Sequence, residues 1–167
     1  ALPICDRGHG GAWLAWRSRR HAVGTGDRSY PVIVIDSSVW IALLRRRDTP
    51  EVAELRNLAA TQDDTILVGD LILLEVLQGA HDETHAARIE RDLRQFPVVA
   101  MSNVDLAVQA ALYYRHLRSI GITVRKTIDM AIATFCLAGN HRLLHTDRDF
   151  EPMEVHLGLE NAMAKGH

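Results

Sequence analysis

The stretch VIVIDSSVW, residues 32 to 40, decides how the chain reads. Four branched apolar residues in a row are too few for a helix and suit a strand covered on both faces of a sheet. The run ends on a carboxylate, Asp36, followed by two serines. Ser37 or Ser38 can cap a helix that starts there, with Trp40, Ile41 and Leu44 turned inward. The question for the rest of the chain is why a buried strand delivers an acid to its carboxyl end.

Downstream, short apolar runs alternate with amphipathic segments. Thr49, Pro50 and Glu51 combine a capping hydroxyl, a proline at the first helical position and an acid in the first turn. Val52, Leu55, Leu58 and Ala59 give that helix one apolar face. TILV at 65 to 68 reads as a second strand, and Gly69-Asp70 opens the apolar helix LILLEVLQ, which stops at Gly79. Residues 82 to 95 form a charged amphipathic helix and PVVAM at 97 to 101 a strand. Asn103 caps a helix whose Ala107, Ala110, Tyr114 and Leu117 recur at helical spacing until Gly121. A further apolar helix covers residues 127 to 138 and ends at Gly139-Asn140. RLLHT at 142 to 146 is a strand, and VHL at 155 to 157 is expected as a short edge strand. Strands alternating with helices imply an α/β fold, a three-layer α/β/α sandwich around a mostly parallel sheet.

The 167 residues, 47% hydrophobic and 24% charged, suit one domain with a single core. With no apolar run of about 18 residues, a membrane span is not expected. Cys5 and Cys136 are far apart and suggest neither a disulfide framework nor a cysteine zinc site, so a reducing cytoplasm is the expected compartment. Residues 1 to 31 hold five of the eleven glycines and show no sustained period. They are expected to be an N-terminal extension, flexible or added in expression, since AWLAW is too short for a signal peptide and the arginines follow it. Residues 32 to 160 form the expected domain and 161 to 167 a C-terminal tail. Outside the extension, 14 basic residues stand against 19 acidic ones, so a polyanion partner would need local basic patches or bound cations.

Two strands end alike, VIVI in Asp36 and RLLHT in Asp147, and two apolar helices each carry one acid, Glu75 and Asp129. Ligands of open α/β sheets collect beyond the carboxyl ends of the strands. Four carboxylates converging there would repel one another unless a cation neutralised them. All the donors are hard oxygens, which favours magnesium or manganese over zinc and suits phosphate chemistry.

Together, VIVIDSSVWI, LILLEVLQGA, RKTIDMAIAT and RLLHTDRDF resemble a PIN-domain ribonuclease, specifically the VapC-like toxin of a type II toxin-antitoxin pair. The resemblance covers residues 32 to 160 and implies a PIN-like sandwich. It implies that Asp36, Glu75, Asp129 and Asp147 bind one or two magnesium or manganese ions, with Asp149 as an additional member. Ser38 and Thr146 would support the ligands, and for Ser38 a plain helix cap is an equal reading. The implied activity is metal-dependent endonucleolytic cleavage of RNA, such as transfer RNA, restrained by a cognate antitoxin. A homodimer is implied as well, with Trp40 and Tyr113 as exposed apolar candidates for contact.

Other patterns compete with this reading. Arg115, Arg118, Arg125 and Lys126 bracket the approach to Asp129 and are candidates for RNA contact, or a solvated face. Arg17, Arg19 and Arg20 leave open an N-terminal arm that meets RNA or a partner. His81 and His85 in HDETH lack the glutamate of a zinc-protease helix and read as a solvated helix start. Arg88, Arg91 and Arg94, interleaved with Glu90 and Asp92, look like a salt-bridged surface. A haloacid-dehalogenase phosphatase would need an aspartate at position 38, where Ser38 stands. The remaining alternative is a PIN-like nucleic-acid-binding or scaffold subunit without catalysis, which would be expected to have lost acids from the quartet.

Overall fold

The computed structural model describes residues 32–61 and 65–163; the expectations for residues 1–31 lie outside that range. In β1, Val32–Ile35, the side chains of Ile33, Val34 and Ile35 are all fully buried. Successive side chains of a strand point to opposite faces, so both faces of the sheet are covered. β1 pairs in parallel with β2, Thr65–Gly69, on one side and with β4, Arg142–Leu144, on the other. β2 also pairs in parallel with β3, Val98–Val99, giving the order β3-β2-β1-β4. The chain thus steps outward from β1 to β3 and then returns to the far side of β1. That reversal opens a crevice beyond the carboxyl ends of β1 and β4.

Two groups of helices supply the outer layers. In the first, α1 (Ser37–Leu44) packs against α2 (Pro50–Thr61) and α3 (Asp70–Leu77), and α3 packs against α4 (Glu83–Leu93). In the second, α5 (Val104–Ser119) packs against α6 (Thr127–Gly139) and α7 (Glu151–Leu157), and α6 also meets β4. Several signals act as read: the Thr49 hydroxyl accepts from the Val52 N–H at 3.3 Å, Asn103 accepts from the Leu106 N–H at 2.9 Å, and Asn140 ends α6 in the left-handed region at φ 53°. Glu90 and Arg94 pair at 2.7 Å on the surface of α4. Asp82 caps α4 by accepting from the His85 N–H at 2.7 Å, and its neighbours His81 and His85 stack on each other. Among the described residues, no helix is long and apolar enough to cross a membrane.

Four expectations need correction. The cap of α1 is Asp36, which accepts from the Ser38 N–H, so neither serine is needed for that role. VHL lies in α7 instead of forming an edge strand, because Pro152 favours the first helical turn and Gly158, at φ 78°, closes the helix. The place beside β4 is taken by the segment that was read as a tail. The Leu143 N–H donates to the Glu160 carbonyl at 2.8 Å, the Ala162 N–H donates to the Leu143 carbonyl at 2.9 Å, and Ala162 is buried. In α5 the four residues that recur at helical spacing do not form a buried face: Leu117 is buried, whereas Ala107 is exposed and Ala110 and Tyr114 are half-buried.

Trp40 is fully buried with its ring 5.3 Å from that of Phe96, in keeping with its place on the inward face of α1 and against its reading as an exposed contact candidate, while Tyr113 is half-buried. A residue in that position holds α1 in the core. Trp40→Ala should therefore cost about 3–5 kcal/mol, and Trp40→Phe distinctly less. Denaturant unfolding monitored by circular dichroism checks this, and a cost near zero for Trp40→Ala would contradict the packing.

Candidate functional site

β1 ends by placing Asp36 at the crevice, where the residue is 3% exposed. Its Oδ2 accepts from the Ser38 N–H at 2.9 Å and from the Ser38 hydroxyl at 2.5 Å. The Ser38 oxygen in turn accepts from the Thr146 N–H at 3.2 Å. The Asp36 N–H donates to the Leu144 carbonyl at 2.9 Å. Ser38 therefore ties the ends of β1 and β4 together and orients Asp36, and Thr146 contributes through its backbone. Ser37, which the sequence offered only as a cap, donates its hydroxyl to Glu75 Oε2 at 2.8 Å and fixes that half-buried acid on α3.

Asp129 lies in the first turn of α6 and is 2% exposed. Its Oδ2 is buried and has no hydrogen-bond partner among the described residues. Burial pushes the Asp129 carboxyl up to about 7; Lys126 opposes the rise, and the nearby charges of Asp36, Asp147 and Glu75 add to it. Asp129 therefore lies within electrostatic reach of the three other acids. Asp147, after β4, accepts from the Lys126 Nζ at 2.8 Å through Oδ2 and from the Asp149 N–H at 3.0 Å through Oδ1. Burial works against its charge, but these two hydrogen bonds outweigh it and hold the carboxyl below its ordinary value. Two neighbouring carboxyls are thus driven in opposite directions, a pattern common where acids are set to different tasks.

Oxygens of Asp129, Asp147 and Asp149 all lie within 4.8 Å of one another. Asp149, the least supported acid in the sequence, belongs to this tight group, while Asp36 and Glu75 flank it. The donor set is entirely oxygen, and it includes a buried oxygen without a hydrogen bond. Both features fit a hard divalent cation such as magnesium or manganese.

The basic candidates divide. Lys126 reaches into the acids, with its Nζ also 3.7 Å from Asp129 Oδ2. Arg115, Arg118 and Arg125 are exposed, and Arg118 lies over the Tyr114 ring at 5.9 Å. Sequence reading missed Ser37, although its position directly after Asp36 was the available signal. It also missed a buried support beside Asp147. There His145 meets Glu154 at 2.7 Å, Asn161 donates to the same Glu154 oxygen at 3.0 Å, and the Phe150 ring lies 4.8 Å from the imidazole.

The sequence pattern of the PIN domain family matches residues 33–155 of the chain. The chain belongs to the PIN-domain family. This PIN domain is 32% identical over 123 residues to VapC ribonuclease Mb1587 of Mycobacterium bovis and to ribonuclease VapC11 of Mycobacterium tuberculosis. Each match covers 72% of this chain and 90% of the relative. Among solved structures, the PIN fold is similar to VapBC2 from Rickettsia felis bound to a promoter DNA fragment, with TM-score 0.62, 14% identity, and coverage of 78% of this chain and 96% of that one. It is also similar to VapBC-1 from nontypeable Haemophilus influenzae, with TM-score 0.61, 17% identity, and coverage of 77% and 95%. A third is Mycobacterium tuberculosis VapC20, described as a sarcin-ricin loop cleaving toxin, with TM-score 0.56, 17% identity, and coverage of 71% and 92%.

The raised Asp129 carboxyl gives the metal-free PIN domain a defined pH response. Its folded value of about 7 exceeds the ordinary 3.8, so the stabilisation from the protonated form is full below 3.8 and is lost as pH rises through 7. Asp129→Asn keeps a neutral side chain throughout. In chelator at about pH 8 it should melt on the order of 5 °C above the parent, a gap that closes toward about pH 5. Thermal melts across that range check the sign, and a gap that does not change with pH would contradict it.

Proposed function

We propose that this chain is the toxin of a toxin-antitoxin pair, a magnesium- or manganese-dependent endoribonuclease that hydrolyses RNA phosphodiester bonds. The observation that carries the reading is the buried Asp129 oxygen without a hydrogen bond, set among Asp36, Glu75, Asp147 and Asp149 at the carboxyl edge of a parallel sheet. The names of the curated relatives, VapC ribonucleases, support the same activity. Asp129, Asp147 and Asp149 would hold an ion, with Asp36 and Glu75 completing the acidic shell for one or two. When bound, the metal supplies positive charge to the phosphoryl oxygens and lowers the pKa of the attacking water.

The chain's own residues supply position. Ser38 holds Asp36, and Ser37 holds Glu75, each by a hydroxyl donated to the carboxylate. Hydroxyls in such a supporting role keep ligands in place and reduce reorganisation during the reaction. Hydrolysis joins the water oxygen to phosphorus, breaks the phosphorus–oxygen ester bond, and requires the attacking water to lose a proton and the departing ester oxygen to gain one from solvent. Glu75, Asp147 and Asp149 are half-buried, unlike Asp36 and Asp129, and are the acids of the cluster that solvent can reach to accept the water's proton. Exposed Arg115, Arg118 and Arg125 are assigned to the RNA backbone, where contacts position a substrate without reading its sequence. Structured RNA, such as transfer RNA, is the proposed substrate class, in the cytoplasm.

A small antitoxin protein is the proposed partner, in keeping with the toxin-antitoxin assemblies among the structural neighbours. A homodimer completes the proposed assembly. The apolar row Val104, Val108 and Leu112 on α5, respectively 80%, 64% and 48% exposed, is available surface for such association.

Asp36→Asn and Asp129→Asn should each lower RNA cleavage at least about 100-fold while circular dichroism shows the fold retained. Cleavage of a structured RNA, with fragment ends mapped by sequencing, is the measurement. Full activity in either variant would overturn the assignment of these acids, and absence of cleavage by the parent chain would favour a binding or scaffold role.

A further inference from the structure

Lys126 precedes α6 at its N-cap position, makes no side-chain cap, and turns its ammonium into the acid cluster. Its Nζ is 2.8 Å from Asp147 Oδ2 and 3.7 Å from Asp129 Oδ2. Asp149 acts on the same ammonium electrostatically. These are the three acids whose oxygens lie within 4.8 Å of one another. The other Asp147 oxygen is already engaged by the Asp149 N–H, so Oδ2 is the one left to bind a cation strongly. A divalent ion seated on Asp129 and Asp147 would meet the ammonium on the same oxygens and be repelled by it.

We propose that Lys126 is a resident counter-cation that occupies the metal position between Asp129 and Asp147 and must be displaced for a divalent ion to bind. The inference rests on the metal reading of this site. Two features make exchange feasible. The lysine side chain is 52% exposed, so its charged end can return to water without crossing a buried region. A lysine also presents a compact charge on a flexible four-carbon stem, unlike a guanidinium locked in a planar fork. In the metal-free protein the ammonium offsets part of the repulsion among the acids. In the loaded protein it is released at the rim, which makes effective metal affinity the balance of an exchange instead of a simple capture.

The test is calorimetric titration of the whole chain with Mn2+ at low ionic strength, comparing the parent with Lys126→Met and Lys126→Arg. Lys126→Met removes the charge at nearly constant length, and should bind Mn2+ at least about tenfold more tightly while its metal-free form melts at a lower temperature. Lys126→Arg keeps the charge and should stay near the parental affinity. If Lys126 were only an anchor for α6, Lys126→Met would lose stability with no gain in affinity. Parental or weaker Mn2+ binding by Lys126→Met therefore overturns this inference alone. Absence of Mn2+ binding by the parent overturns the metal reading itself and this inference with it.

Discussion

The interaction on which the site depends is the repulsion among carboxylates gathered at the carboxyl edge of the sheet. Asp129 is nearly inaccessible to water and one of its oxygens lacks a hydrogen bond, while Asp36, Asp147 and Glu75 all act on it. Burying a charged carboxylate costs several kcal/mol unless it is compensated. The fold accepts this arrangement because the acids stand on elements that the core holds rigidly. Lys126 supplies compensation from within the chain, and the proposed metal would supply it from outside.

Rigidity comes from a few hydrogen bonds that link elements distant in sequence. Ser38 joins Asp36 to the backbone of Thr146, and Ser37 joins α1 to Glu75 on α3. Behind Asp147, the His145, Glu154 and Asn161 contacts fasten the chain after β4 to α7 and to the segment beyond it. The serine hydroxyls stand in the first turn of α1, so the acids they hold cannot move apart without losing these hydrogen bonds. A site built this way is preorganised by the same packing that stabilises the domain.

Much of the scaffold was legible because its signals are local. VIVI and TILV read as buried strands from branched apolar runs, and Thr49, Asn103 and Asn140 read as helix boundaries from short-range hydrogen-bonding and backbone preferences. Signals that depend on position in the assembled domain failed. Trp40 reads both as turned inward and as available for a partner, and its burial against Phe96 settles it as core, while Ala107 follows the helical spacing yet is exposed. Residues 161 and 162 looked like a tail, although β4 still had backbone groups that required partners.

The sequence by itself determined that acids end two strands and interrupt two apolar helices, since the residue types and their periods are local facts. It also determined the parallel α/β class, because strand and helix signals alternate along the chain. Only the tertiary structure decided which acids meet closely, that Ser38 bridges strands in addition to lying near a cap, and that Lys126 enters the cluster. Those facts depend on distances between residues far apart in the chain. Strand order sets those distances, and no local propensity encodes them.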